Sequence, residues 1–212
     1  MKILIVCESS GTVREAFRAL GHDAWSCDLL PADDGSPYHY QADAREIGGQ
    51  WDMMGFHPPC TYLNVAGIHW NNRGRGWEKT AQALEFVRWC MTHKCRWYLE
   101  NPVSIISTRF RKPNQTIQPY QFGDDASKRT CLWLNGLSPL EIDPSKRLAG
   151  RLVEWPRGSG RIAERWANQT DSGQNKLTPS DNRWKDRSKT YPGIAWAMAD
   201  GWGAEKPFTL TA

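Results

Sequence analysis

The sequence predicts an α/β fold, a doubly wound Rossmann-like arrangement around a mostly parallel sheet. Three observations carry this. Short apolar runs recur at residues 2–7, 51–54 and 96–99, each too short for a helix and each followed by turn-forming or polar residues. Segments with helical periodicity lie between them, at residues 13–20 and 77–93, which is the alternation of a parallel sheet with crossover helices. The runs also end in small, acidic or thiol side chains, as strands do where the carboxyl edge of an open sheet lines a ligand crevice.

The chain has 212 residues, 40% of them hydrophobic, enough to bury a core and to form one domain with an appendage. Residues 2–7 read as a strand, Glu8-Ser9-Ser10-Gly11-Thr12 as a small-residue turn, and residues 13–20 as a helix stopped by Gly21. Such a turn lets a ligand approach the backbone, and the first helical amides favour a negative group. Residues 22–28 form a second strand ending in Asp28, placed where a doubly wound nucleotide-binding fold offers a carboxylate to ribose hydroxyls. A third, at 38–43, ends in Asp43. The plainer alternative for both acids is a solvated surface.

The fourth strand, at 51–54, leads into Gly55-Phe56-His57-Pro58-Pro59-Cys60-Thr61-Tyr62-Leu63-Asn64, where two prolines block further ladder pairing and Cys60 projects. A thiolate there is a strong nucleophile, and the alternative is a buried, inert cysteine. A basic, glycine-containing loop with Arg73 and Arg75 precedes the helix at 77–93. Next, residues 96–103 end in Glu100, Asn101 and Pro102, with Pro102 expected to start a helix. Adjacent parallel strands ending this way bring Cys60 and Glu100 to one crevice, unless Glu-Asn-Pro is only a capped turn. Residues 118–123 make a turn. A strand follows at 127–134, on which Lys128 and Arg129 face opposite ways.

These residues resemble the cytosine-5 DNA methyltransferases that use S-adenosylmethionine. Pro59-Cys60 is similar to that family's Pro-Cys loop, and Glu100-Asn101-Pro102 is similar to its Glu-Asn-Val element. The two occur in order, each after a strand, with a helix-length segment between. The resemblance implies a methyltransferase version of the Rossmann-like fold and a catalytic set of Cys60 as nucleophile, Glu100 on the ring nitrogen and exocyclic amine, Asn101 fixing the loop and Arg129 on the ring carbonyl. It implies that S-adenosylmethionine is held by Cys7, Ser9, Ser10, Gly11, Asp28, Leu29, Asp43 and Pro59, with Asp28 on the ribose and Asp43 on the adenine amino group. The loop at 71–76 stands where the family closes a segment over a flipped base, and the last helix stands where the family covers the cofactor pocket. The chain departs from the pattern in three places. Cys7 and Ser9 replace a phenylalanine and a glycine of the Phe-x-Gly-x-Gly turn, one arginine remains of the Gln-x-Arg-x-Arg strand, and about fifty residues stand in for a full target-recognition domain. Such compactness is expected of a phage or prophage member.

Three regions follow: a catalytic and cofactor-binding core at 1–140, a basic Trp-rich insert at 141–189, and a returning C-terminal helix at 190–212 with a loose tail after Trp202. The insert holds eleven Lys and Arg against seven Asp and Glu, so its surplus equals the whole chain's +4. Trp155, Trp166 and Trp184 are interleaved with basic residues, a mixture suited to phosphate contact and base stacking. Arg157, Arg161 and Arg165 are the expected phosphate ligands, with Lys128, Arg73 and Arg75 alongside. The partner expected is DNA, duplex or single-stranded, or a nucleotide, and the oligomeric state stays open.

No apolar stretch reaches membrane-span length and no signal-like segment opens the chain, so a cytoplasmic location without membrane contact is expected. The six cysteines show no zinc-ribbon spacing, which predicts free thiols and no metal; Cys90 and Cys95 could form a redox pair, although packing thiols are the simpler reading. Two rival functions remain open to this sequence: a methyltransferase relic that occupies DNA without turnover, and a modifier of free pyrimidine nucleotides or RNA. An amino-methyltransferase fits less well, because its Pro-Pro-Tyr loop has an aromatic where this chain has Cys60.

Overall fold

A computed structural model describes residues 1–180 and 183–204. Most of the expected tail after Trp202, and the side chain of Trp184, lie outside the described residues.

Seven strands form one sheet in the order β3-β2-β1-β4-β5-β7-β6. β1 (Lys2–Val6), β2 (Asp23–Asp28), β3 (His39–Gln41), β4 (Met53–Phe56) and β5 (Arg96–Pro102) run parallel, while β7 (Thr130–Asn135) is antiparallel to β5 and β6 (Gln115–Ile117) antiparallel to β7. The chain winds outward from β1 to β3 and then restarts at β4 on the other side of β1. Between β1 and β4 lies the switch point, where a doubly wound sheet opens a crevice at its carboxyl edge.

Alternation along the strands divides the core into two faces. Ile3, Ile5, Met53, Tyr98, Leu132 and Leu134 point to the side covered by α1 (Thr12–Ala19) and the C-terminal helix, Pro192–Gly203. Leu4, Val6, Met54, Phe56, Trp97, Leu99, Cys131 and Trp133 point to the side covered by Val87 and Cys90 of the helix Glu78–Met91. All six cysteines are free thiols, three of them buried.

The sequence did not reveal β6, a three-residue edge strand. Pro102 also differs from expectation: it ends β5 opposite Thr130, and the next helical turn begins at Ile106. β4 stops pairing with β5 at Leu99, so Pro102 has a strand neighbour on one side only, which is where a strand tolerates a missing donor.

The basic insert has its own small hairpin, β8 (Arg151–Glu154) with β9 (Ile162–Arg165), followed by the short helix Arg183–Ser188. Trp166, expected to stack on bases, is instead 7% exposed, stacked on Tyr120 at 3.9 Å between centroids, with its indole N–H donated to the Leu148 carbonyl. It anchors the hairpin to the core.

One close approach matters to the site. Gly55 of β4 pairs with Tyr98 of β5, and a Cβ on Gly55 would stand 2.6 Å from Cε1 of that ring. The missing side chain lets the Tyr98 hydroxyl pass toward the carboxyl edge. Gly55→Ala is expected to cost about 1–3 kcal/mol through overpacking. Urea unfolding measures this, and an unchanged midpoint would contradict the tight fit.

Candidate active site at the carboxyl edge

Cys60 follows β4 across two prolines and opens a single helical turn, Cys60–Tyr62. It is half-buried. Three contacts hold the turn: the Asn101 side-chain amide donates to the Pro58 carbonyl at 2.8 Å, the Thr80 hydroxyl donates to the Tyr62 carbonyl at 3.1 Å, and Asn71 donates to Thr80 at 2.8 Å. Asn101 shares the parity of Leu99, so it reaches this loop from the sheet face opposite Glu100. Burial pushes the Cys60 thiol up, and the Glu100 carboxylate pushes it further, while Lys128 and Arg187 pull it down. A carboxylate and two cations thus act on one thiol.

Glu100 is buried and lines a crevice with Lys128, Thr130, Thr190, Tyr191 and Ile194. Its Oε2 lies 3.5 Å from His57 Nδ1. Its Oε1 is buried with no hydrogen-bond partner. Burial alone raises a carboxyl's pKa, but Lys128, His57 and Thr130 together bring Glu100 below its ordinary value. At neutral pH it is therefore an ionised acceptor with one oxygen unsatisfied.

The expected roles of Lys128 and Arg129 change places. Thr130 and Lys128 share the parity of Leu132 and Leu134, on the α1 side of the sheet where Tyr98 and Glu100 point. Arg129 shares the parity of Cys131 and Trp133 and is exposed on the other side. Lys128 is the cation of the crevice, and its ammonium also donates to the Lys189 carbonyl at 3.3 Å.

The cofactor side is altered more. The turn after β1 was expected to leave the first amides of α1 for a ligand carboxylate. Instead Glu8 occupies them, accepting from Val13 at 2.6 Å and Arg14 at 3.1 Å, while Thr12 N–H faces the Ser10 hydroxyl at 3.4 Å. Gly11 has φ 70° and lies against the Arg14 guanidinium and Asp34, so a side chain there has no room. Ser9 gives its carbonyl to Asp33 N–H at 2.9 Å.

Cys7 has φ 60°, unusual for a residue with a side chain, and burial pushes its thiol far up. Asp43 caps the turn Ala44–Glu46, and its pairing with Arg45 holds it at about 2. Asp28 uses one oxygen on Leu30 N–H at 2.9 Å. Next to it Leu29 is 71% exposed, an apolar side chain open to solvent. Pro59 is exposed beside Cys60. The α1 amides are therefore not open to a ligand carboxylate, whereas Asp28 and the exposed Leu29 stand at the tip of β2.

The basic residues divide in the same way. Arg157 and Arg161 are exposed at the tip of the β8–β9 hairpin beside Trp155, which is 42% exposed. Arg165 is instead a strut, donating to the Asp171 and Glu164 carbonyls. Arg73 is exposed near Trp70, whereas Arg75 donates to Asn71 at 2.7 Å and lies over Tyr62. The first half of the segment 71–76, expected as a flexible loop, belongs to a helical turn, His69–Arg73, ended by Gly74. No helix among the described residues is long and apolar enough to cross a membrane.

Sequence reasoning missed His57, Lys128 as the crevice cation, and Thr190. The parity of the apolar residues in β5 and β7 was a usable signal for Lys128. Nothing local marked Thr190, which arrives from ninety residues beyond Glu100.

Because the Glu100 charge raises the Cys60 thiol, Glu100→Gln should increase thiolate at neutral pH. Iodoacetamide labelling of Cys60, followed by peptide mass spectrometry at pH 7.5, should then run several-fold faster than in the wild type. Equal or slower labelling would show that the two groups do not interact.

No protein-family model matches the chain and no curated protein matches it, so the crevice is read from its own geometry.

Proposed function

We propose that the chain transfers a methyl group from S-adenosylmethionine to carbon 5 of cytosine, in DNA, through a covalent Cys60 adduct. One observation carries this reading: a half-buried thiol and an ionised, buried carboxylate with an unpartnered oxygen end adjacent parallel strands beside the switch point. Carbon 5 of cytosine is a weak nucleophile. When the Cys60 sulfur bonds to carbon 6, the 5,6 double-bond pair moves between carbons 4 and 5, the C4–N3 pair moves to ring nitrogen 3, and nitrogen 3 takes up a proton from solvent in exchange for the one the thiol releases. Carbon 5 then has enamine character.

Glu100 Oε1 accepts from the exocyclic amine and from protonated nitrogen 3, as a carboxylate does with cytosine N4. Lys128, in place of the expected Arg129, is the cation for the ring carbonyl. Asn101 keeps the Pro-Pro-Cys turn in place. The cofactor, when bound, supplies an electrophilic methyl group, with Asp28 and Leu29 as its adenosine contacts. Supporting the methyltransferase version of the fold are the mostly parallel sheet and its single switch point. Arg157 and Arg161 at the hairpin tip, with Arg73, are the phosphate contacts, and the target base leaves the helix to reach Cys60.

A second reading is favoured by one observation. Glu8 fills the helix amides that a cofactor carboxylate would use, which suits a protein that binds pyrimidines without methylating them. Labelled methyl transfer to duplex DNA, single-stranded DNA, RNA and dCMP separates the readings. Wild type should methylate DNA and be trapped by 5-fluorocytosine as an adduct stable in denaturant, because fluorine blocks elimination. Cys60→Ser should do neither. Pyrimidine binding without methyl transfer or trapping would favour the second reading, and a methylating Cys60→Ser would overturn the mechanism.

A further inference from the structure

Between the two buried carboxylates of the carboxyl edge stands a histidine with no place in the catalytic set above. His57 follows β4 with its side chain 8% exposed. Its Nε2 lies 2.9 Å from the Tyr98 hydroxyl, and its Nδ1 lies 3.5 Å from both Glu100 Oε2 and Thr190 Oγ1. Tyr98 is fully buried, and Gly55 is the residue that lets its hydroxyl through.

The tautomer follows from these neighbours. Burial, with Glu8 and Glu100 nearby, pushes the Tyr98 phenol well up, so it stays a neutral hydroxyl and has a proton to place. A buried O–H needs an acceptor, and Nε2 is the partner in reach. A neutral imidazole that accepts at Nε2 carries its proton at Nδ1. That proton faces Glu100.

We propose that His57 is a positioning residue for Glu100, and through it a determinant of the choice of cytosine over uracil. Nδ1–H engages Oε2, which turns Oε1 toward the crevice and keeps the carboxylate ionised. An ionised carboxylate only accepts, so it matches a base edge that presents an amine and rejects one that presents a carbonyl. Protonated, the same group would donate and would accept uracil. This inference rests on the cytosine reading of the site.

The groups facing Glu100 are His57 and Cys60 from the β4 loop, Lys128 from the segment before β7, Thr130 at the start of β7, Tyr98 on its own strand, and Thr190 and Tyr191 ahead of the last helix. Glu8 faces His57 from the turn after β1. Lys128 remains in a His57 variant, so Glu100 loses only part of what holds it down. Its pKa rises, and carboxylate is then available only above a higher pH.

The test uses single-turnover trapping, with S-adenosylmethionine as methyl donor, of oligonucleotides containing 5-fluorocytosine or 5-fluorouracil, from pH 5.5 to 8.5. In the wild type the cytosine adduct should form at least 100-fold faster than the uracil adduct across the range. In His57→Leu the acid limb of the cytosine reaction should move up by about one pH unit, and discrimination at pH 6 should fall by tenfold or more. His57→Asn, whose amide can donate toward Oε2, should recover part of both. Tyr98→Phe, which frees Nε2, should shift in the same direction as His57→Leu and guards against a leucine variant that does not fold.

A folded His57→Leu or Tyr98→Phe with the wild-type pH profile and wild-type discrimination overturns the proposal. If the wild type forms neither adduct, the cytosine reading fails instead. The histidine is then judged on carbon-13 NMR titration of Glu100 in the ligand-free protein. A carboxyl that titrates at the same pH with and without His57 refutes its role, and an upward shift in the variant upholds it.

Discussion

A buried carboxylate must be held, and holding Glu100 organises the carboxyl edge of this protein. Burial by itself would protonate it. Lys128 from just before β7, His57 from just after β4, and Thr130 counter that cost, so Glu100 is lower than an ordinary carboxyl despite its surroundings. Each of these groups needs its own support. Lys128 is tied to the Lys189 carbonyl, His57 to the Tyr98 hydroxyl, and Tyr98 is admitted by Gly55. Three strands and the segment leading into the last helix are thus fitted around one side chain. The oxygen left over has no hydrogen-bond partner, and the Glu100 charge acts on the Cys60 thiol.

Much of this frame was legible in the residues. Apolar runs bounded by turn residues located β1, β2 and β5 to within about one residue at each end, whereas β4 lies two residues later than expected and β3 is shorter. The polar tips of β4 and β5 did converge, because parallel neighbours necessarily end on the same edge. What was not legible depended on partners distant in sequence. Pro102 resembled a helix start because nothing local shows that β4 ends early and leaves β5 one-sided. Trp166 resembled a stacking residue because its partner, Tyr120, lies over forty residues away. Arg129 was favoured over Lys128 by its identity, whereas alternation with Leu132 and Leu134 decides which side chain enters the crevice.

The turn after β1 shows how a familiar local pattern can change its chemistry through one residue. Small side chains and a left-handed Gly11 keep the backbone accessible in outline. Glu8 then turns back onto Val13 and Arg14, and the connection after β2 closes down through Asp33 on Ser9 and through Asp34 on the buried Arg14. Lys185 ties Asp33 to the segment that carries Thr190. One ion pair, Lys185–Asp33, links the two halves of the carboxyl edge, and addition at Cys60 does not use the α1 amides that Glu8 fills. The addition chemistry proposed for the crevice can accordingly be examined apart from methyl donation.

Exchange of the hydrogen on carbon 5 offers that separation. Addition of Cys60 to carbon 6 makes carbon 5 able to take up a proton, and reversal then releases the original hydrogen. DNA carrying tritium at cytosine carbon 5 should lose it to water in the presence of the wild-type protein without any cofactor, and should keep it with Cys60→Ser. Retention of tritium by the wild-type reaction, with the protein folded and the DNA bound, would contradict the covalent account of this crevice.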